Sequence, residues 1–168
     1  VRNIHNALKS ILINLAIKNT PEKNDHLMDL AVGRAGDLSK WVGVKYVLGI
    51  EFDEANLKAG PDSAFARVRN KIDKTYQFGQ KPVTTIDLVQ GDMTDPIRLP
   101  ENKAFNANYS SEPVFNNILQ NALRTTGKFG IISCQFALHY ALSQEDKIRN
   151  FFHNVSQNLA NKGYFIAT

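Results

Sequence analysis

The sequence predicts an α/β domain built on a mostly parallel sheet. Three observations carry that expectation. Five apolar or β-branched runs alternate with segments of helical periodicity. The first run, Leu27 to Val32, breaks into a glycine turn, Gly33-Arg34-Ala35-Gly36, and a new segment starts at Asp37. Polar residues also stand where successive strands should end: Asp29, Glu51, Asp92 and Gln135.

At 168 residues the chain fits one domain with room for a real core. A hydrophobic content of 43% against 21% charged residues is that of a globular protein. The net charge of +4 permits a polyanionic partner without demanding one. The single cysteine, Cys134, cannot form an internal disulfide, so the chain reads as intracellular. The apolar segment Ile11 to Ile17 is interrupted by Asn14 and is too short to cross a bilayer, and no secretory signal opens the chain. No membrane partner is expected.

Residues 2 to 17 read as an amphipathic helix with Ile4, Leu8, Ile11, Leu12 and Leu15 as its buried stripe. Arg2, His5, Asn6 and Lys9 fall on another face, at steps of three and four. A polar connector with Pro21 leads to the first strand and its glycine turn. The residues from Asp37 to Trp41 should start a short helix, with Asp37 at its N-terminus. Tyr46 to Ile50 is the second strand and ends in Glu51, eighteen positions after Gly33. An acid there commonly accepts hydrogen bonds from ribose hydroxyls.

From Asp53 to about Asp73 the pattern is helical but split by Gly60-Pro61. Its second half carries Arg67, Arg69, Lys71 and Lys74, a run that Lys81 extends. That run is either a solvated face or a phosphate-contacting patch. Val83 to Val89 is the third strand, and residues 94 to 112 read as a loop. Glu112-Pro113 opens a helix with Phe115, Ile118, Leu119 and Ala122 on one face. Phe129 to Cys134 is the fourth strand. Ser143 and Asp146 resemble a capping box for a helix that turns Ile148, Phe152, Val155 and Leu159 inward and stops at Gly163. Tyr164 to Ala167 begins a fifth strand.

Sheets of this kind bind ligands beyond the carboxyl ends of their strands. Four polar sites on one rim are hard to explain as core filling, and a bound nucleoside explains them. Ala31 to Gly36 matches the dinucleotide fingerprint only if alanine replaces its first glycine. Asp29, Glu51 and Asp92 would repel a pyrophosphate but attract a sulfonium cofactor bearing an amino group. S-adenosylmethionine is therefore favoured over NAD.

Four segments then carry a closer resemblance: RNIHNALKS from Arg2, LMDLAVGRAGDLSKW from Leu27, SCQFALHY from Ser133, and NVSQNLANKGYFIAT from Asn154. In this order, and over almost the whole chain, they resemble the mRNA cap guanine-N(7) methyltransferases of eukaryotes and large DNA viruses. The resemblance implies a Rossmann-like, class I S-adenosylmethionine-dependent methyltransferase fold. It implies one domain over residues 1–168, with helix 1–18 contributing to the cofactor and cap sites. It further implies that Lys9, Ala31, Glu51, Asp92, Gln135 and Tyr140 contact S-adenosylmethionine, with Asp29 and Gly33 in the same loop. His5, Asn6, Arg34, Lys40, Arg67 and His139 match positions lining the cap guanosine and its triphosphate, with Phe136 against the guanine. Tyr140 and His139 are the positions nearest the chemistry, His139 as a positioning group or, alternatively, a proton-transfer group.

The chain departs from the family pattern in places. The usual Cys-Gly-Lys-Gly-Gly run is Val32-Gly33-Arg34-Ala35-Gly36 here, and Ala35 would be strained if the backbone needs positive φ. Ala31 stands where many members have glycine, and Glu51 is one methylene longer than the usual Asp. His5 replaces a common Asn and Ala7 a common aromatic residue.

Methyl transfer to a ring nitrogen with a free lone pair needs alignment and electrostatics rather than a general base, so neither a catalytic nucleophile nor a metal is expected. The resemblance implies the capped 5′ end of mRNA as partner, together with other capping-enzyme domains in the same polypeptide. The setting it implies is the nucleus, or a cytoplasmic virus factory or virion. Family members continue past this point with more strands and a further acidic cap contact, so an excerpt is expected, incomplete at its C-terminal strands. Two rival readings remain: a methyltransferase for another RNA or a small molecule, and a non-catalytic fragment acting as a binding or allosteric module.

Overall fold

The computed structural model describes residues 2–22, 25–80, 83–97 and 128–168. The elements in order are α1 (Arg2–Asn19), β1 (His26–Asp29), a 3-10 turn (Leu38–Lys40), β2 (Tyr46–Glu51), α2 (Glu54–Lys58), α3 (Ala64–Gln77), β3 (Thr85–Gln90), β4 (Phe129–Cys134), α4 (Leu138–Ala141), α5 (Glu145–Asn158) and β5 (Leu159–Ala167). The helix expected from Glu112, most of the 94–112 loop, Lys81 and the side chain of Arg2 lie outside the described residues.

Five strands form one sheet in the order β3-β2-β1-β4-β5, and every neighbouring pair is parallel. Buried on both faces, such strands read as continuous apolar runs, which is why the sequence marks them. Their alternate residues divide between two cores. Leu27, Val47, Leu88 and Ile131 join Ile13, Trp41 and Val68 on the face covered by α1 and α3. Met28, Leu48, Val89 and Ile132 join Ile97, Phe151 and Val155 on the face covered by α5.

Several elements differ from their sequence reading, each because tertiary docking outweighs a local signal. Helix α1 forms, but Ile4, Leu8, Ile11 and Leu15 are exposed, Ile4 by 64%. Its docked row is Ile13 and Ala16, with Ile17 packed beside them. Both rows are apolar, and the small Ala16 lets this one approach the sheet closely. The expected helix after Asp37 is a single 3-10 turn, and the Asp37 side chain makes no cap. Asp53 and Ser63 instead cap α2 and α3, which Gly60 and Pro61 separate.

The capping box does not form. Helix α5 starts at Glu145 after Gln144, and the Ser143 hydroxyl donates to the Tyr140 carbonyl at 3.0 Å. Phe151, not Phe152, fills the core. Leu159 leaves the helix to begin β5, which pairs with β4 through an irregular register. Lys162, not Gly163, takes the left-handed conformation. Gly163 is needed for close approach, because a Cβ there would lie 2.8 Å from the Gly130 carbonyl.

Candidate active site

Strand order reverses at β1, which has β2 on one side and β4 on the other. The crevice at the carboxyl ends of β1 and β4 is the switch point of such a sheet. Asp29 is the last residue of β1 and pairs with Gly49 and Ser133. It is 2% exposed. Burial pushes its carboxyl up to about 7, and the nearby Asp37 and Glu51 carboxylates add to that. The Ala31 N–H, which donates at 3.4 Å, and the Lys9 ammonium act against it.

Asp37 is the hinge of the cluster. Lys9 of α1 reaches one of its oxygens at 2.9 Å and Lys40 reaches the other at 2.8 Å. The sequence suggests Asp37 as a helix cap and Lys40 as a contact to the cap triphosphate; here the two are paired with each other. Three carboxyl groups, that of Asp29 held up to about 7, therefore gather with two ammonium groups at the rim.

Glu51 closes the glycine turn. One carboxylate oxygen accepts from the Gly33 N–H at 2.7 Å, and the other accepts from the Asp53 N–H at 2.9 Å and from Asn56 at 3.3 Å. Glu51 thereby bridges from the end of β2 back to the loop. The expected open ribose-facing carboxylate is thus already engaged, although each oxygen has a second lone pair. Gly33 and Ala35 both take positive φ, +56° and +53°. The strain foreseen for Ala35 is present, at about 1–2 kcal/mol for a residue with a Cβ.

Asp92 and Gln135 stand at the same rim, past the ends of β3 and β4. Asp92 turns one oxygen onto the Thr94 N–H and hydroxyl, at 2.8 and 2.7 Å. Gln135 is buried, and its amide is tied to the end of β5: its NH₂ donates to the Ile166 carbonyl at 3.4 Å, and its oxygen accepts from the Thr168 hydroxyl at 3.1 Å. Its expected contact with the cofactor must therefore compete with these bonds. The loop carrying Asp92 is held by buried Asn154, whose amide donates to the Met93 and Asp95 carbonyls and accepts from the Ile97 N–H.

A second group of side chains lies alongside. The His5 and Phe136 rings stack with centroids 4.5 Å apart, and the Lys9 ammonium sits 5.4 Å from the Phe136 centroid. Phe136 also takes positive φ, with its N–H donating to the Thr168 carbonyl at 3.0 Å. Lys9 thereby joins the carboxylate cluster to the aromatic pair. His139 and Tyr140 stack at 4.1 Å on α4, both exposed. Asn6 is exposed on α1. Arg34 is exposed and donates to Asn56 at 3.2 Å, while Arg67 lies on α3 with Asp62 at 3.6 Å.

The sequence does not mark Asp37, Asn154 or Thr168 as residues that build the site. The one readable signal was Asp37 directly after Gly36; the partners of the other two are distant in sequence.

A family model described as the mRNA (guanine-N(7))-methyltransferase domain matches residues 1–168. The whole chain is 29% identical to part of a probable mRNA-capping enzyme of Acanthamoeba polyphaga mimivirus, covering 14% of it. It is 29% identical to the mRNA cap guanine-N(7) methyltransferase of Candida albicans over 33% of that protein, and 31% identical to the corresponding enzyme 1 of Oryza sativa over 38%. The chain thus spans well under half the length of these curated relatives. Among solved structures, Streptomyces venezuelae DesVI superposes with a TM-score of 0.55 at 17% identity, over 97% of this chain and 50% of that one. An S-adenosylmethionine-dependent methyltransferase from Clostridium acetobutylicum gives 0.52 at 19% identity, over 95% and 47%. These two likenesses establish the Rossmann-like methyltransferase fold.

Proposed function

The chain belongs to the mRNA (guanine-N(7))-methyltransferase family, and from that premise we propose that it serves the transfer of a methyl group from S-adenosylmethionine to the guanine N7 of the mRNA cap. One observation carries the reading: Asp29, Asp37 and Glu51 gather at the switch point with Lys9 and Lys40 beside them, so ionising Asp29, whose carboxyl is held up to about 7, leaves one negative charge without a partner. A ligand bearing an amino group and a sulfonium answers that excess; a pyrophosphate would add to it. When bound, S-adenosylmethionine supplies an electrophilic methyl group: the guanine N7 lone pair forms the new C–N bond, and the C–S pair stays with sulfur.

The side chains then act by orientation and field. Asp29 and Asp37 hold the amino group of the donor, and Lys9 keeps N–H donors for its carboxylate. Glu51 offers its remaining lone pairs to the ribose, and the second Asp92 oxygen faces the adenine edge. Ala31, Gly33 and Gln135 shape the walls, and Tyr140 closes over the donor. Phe136 with His5 forms an aromatic bed for the guanine, beside Asn6, and His139 positions the base. Arg34, Lys40 and Arg67 lie toward the triphosphate.

Calorimetric binding of S-adenosylhomocysteine, followed by a methylation assay on capped RNA, tests the reading. Binding, with methylation of capped RNA in preference to uncapped guanosine nucleotides, is the expected result. A folded chain that does not bind S-adenosylhomocysteine would overturn it. In an active preparation, Tyr140→Ala should cut turnover heavily while leaving the melt unchanged.

A further inference from the structure

Beside the glycine turn, and apart from the carboxylate rim, a groove of about 670 Å³ runs between Ala35–Ser39 and one face of α3. Arg67, Asn70, Lys71, Lys74 and Phe78 line it at helical spacing, and Asp62 is also in its lining. Because α3 runs back from the end of β2 toward the start of β3, Arg67 lies near the rim and Phe78 far from it, about 16 Å along the helix. The two ends differ in chemistry: cations line the upper part, and the lower end presents Phe78, 80% exposed.

The cations are not equivalent. Lys71 donates to the Leu38 carbonyl at 2.9 Å and so builds the wall. Arg67 meets Asp62 at 3.6 Å, a loose contact between exposed groups that solvent screens. Lys74 is exposed on the groove face.

We propose that this groove holds the single-stranded transcript just downstream of the cap, which leaves the triphosphate end at Arg67 and runs on with its phosphates along Lys74 and a base stacked on Phe78. Cations tracking a backbone, followed by an exposed ring for a base of any sequence, are what sequence-tolerant binding of single strands requires. The inference rests on the cap-methylation reading, since the groove starts at the glycine turn where the cap would leave the site.

The test compares the dinucleotide GpppA with a capped single-stranded RNA of about twelve nucleotides. Binding of each is measured to the chain in the presence of S-adenosylhomocysteine, over a salt series. The RNA should bind about ten-fold tighter than GpppA at low salt. Lys74→Glu and Phe78→Ala, each with an unchanged melting temperature, should remove most of that gain and leave GpppA binding as it was. Lys74→Gln should lower the salt slope for the RNA by about 0.7, one phosphate contact on a single strand.

Equal affinity for the two ligands, or RNA binding indifferent to both substitutions, would overturn the groove while leaving the cap reading intact. Displacement of the RNA by polyglutamate at matched charge, with equal affinity, would reassign the groove to an acidic protein and overturn it as well. Failure of the cap reading looks different: capped and uncapped RNA would bind alike, yet Lys74→Glu would still weaken both.

Discussion

Replacing Asp29 with asparagine should stabilise the protein more at alkaline pH than in mild acid. The unfolded chain releases the Asp29 proton near 3.8, and the folded protein holds it to about 7. Between those values the native state binds more protons than the unfolded one, so stability falls as pH rises through the window. At about 1.4 kcal/mol per unit, the loss is under about 2 kcal/mol by about pH 5 and near 4 kcal/mol by about pH 8. The amide carries no titrating proton and escapes that loss. Once buried it has a desolvation cost of its own, but that cost is the same at both pH values. The difference is therefore diagnostic: the gain of Asp29→Asn over wild type should be larger at about pH 8 than at about pH 5 by about 2–3 kcal/mol. For a chain of this length that is a shift of about 5–10 °C. Paired urea melts of the two proteins at both pH values measure it. A gap between variant and wild type that does not change with pH would refute the argument, because it would mean that Asp29 is ionised alike in both states. The same substitution should weaken S-adenosylhomocysteine binding, so the stability gained would come at the expense of the site.

Glu51→Gln replaces one acceptor oxygen with an NH₂ that faces an N–H, at Gly33 or at Asp53; urea melts should show a loss of about 1.5–3 kcal/mol, and calorimetry weaker S-adenosylhomocysteine binding. Asn154→Ala leaves the Met93 and Asp95 carbonyls and the Ile97 N–H without their buried partner; a loss of about 2–4 kcal/mol is expected, with faster amide exchange in residues 93–97 as its local mark. Gly163→Ala drives a Cβ against the Gly130 and Ala160 carbonyls at 2.8 and 2.9 Å. Its melting temperature should fall by several degrees, about 1–3 kcal/mol, and no loss would show that the β5 bulge relaxes freely.

The strands and their order along the chain were legible because a parallel sheet covered on both faces writes itself as apolar runs, and β4 appears with the bounds read from sequence. The polar residues at strand ends were legible for a related reason: Asp29 and Gln135 interrupt or follow runs that packing alone would keep apolar. Four segments, SCQFALHY the most specific of them, together with their order, sufficed to place the family. What only the tertiary structure decided is how those polar residues are engaged. Helix α1 offers two apolar rows, and nothing local distinguishes the row of Ile4 and Leu8 from that of Ile13 and Ala16 until the helix meets Trp41 and the sheet. Asp37 reads as a cap, yet it becomes the shared partner of two lysines because α1 folds back over the glycine turn. Glu51 reaches Gly33, and Gln135 reaches Thr168, across gaps of 18 and 33 residues. Local propensity and periodicity act over a few residues, so they specify where strands and turns fall; partners this far apart are fixed only when the sheet brings their strand ends to one rim.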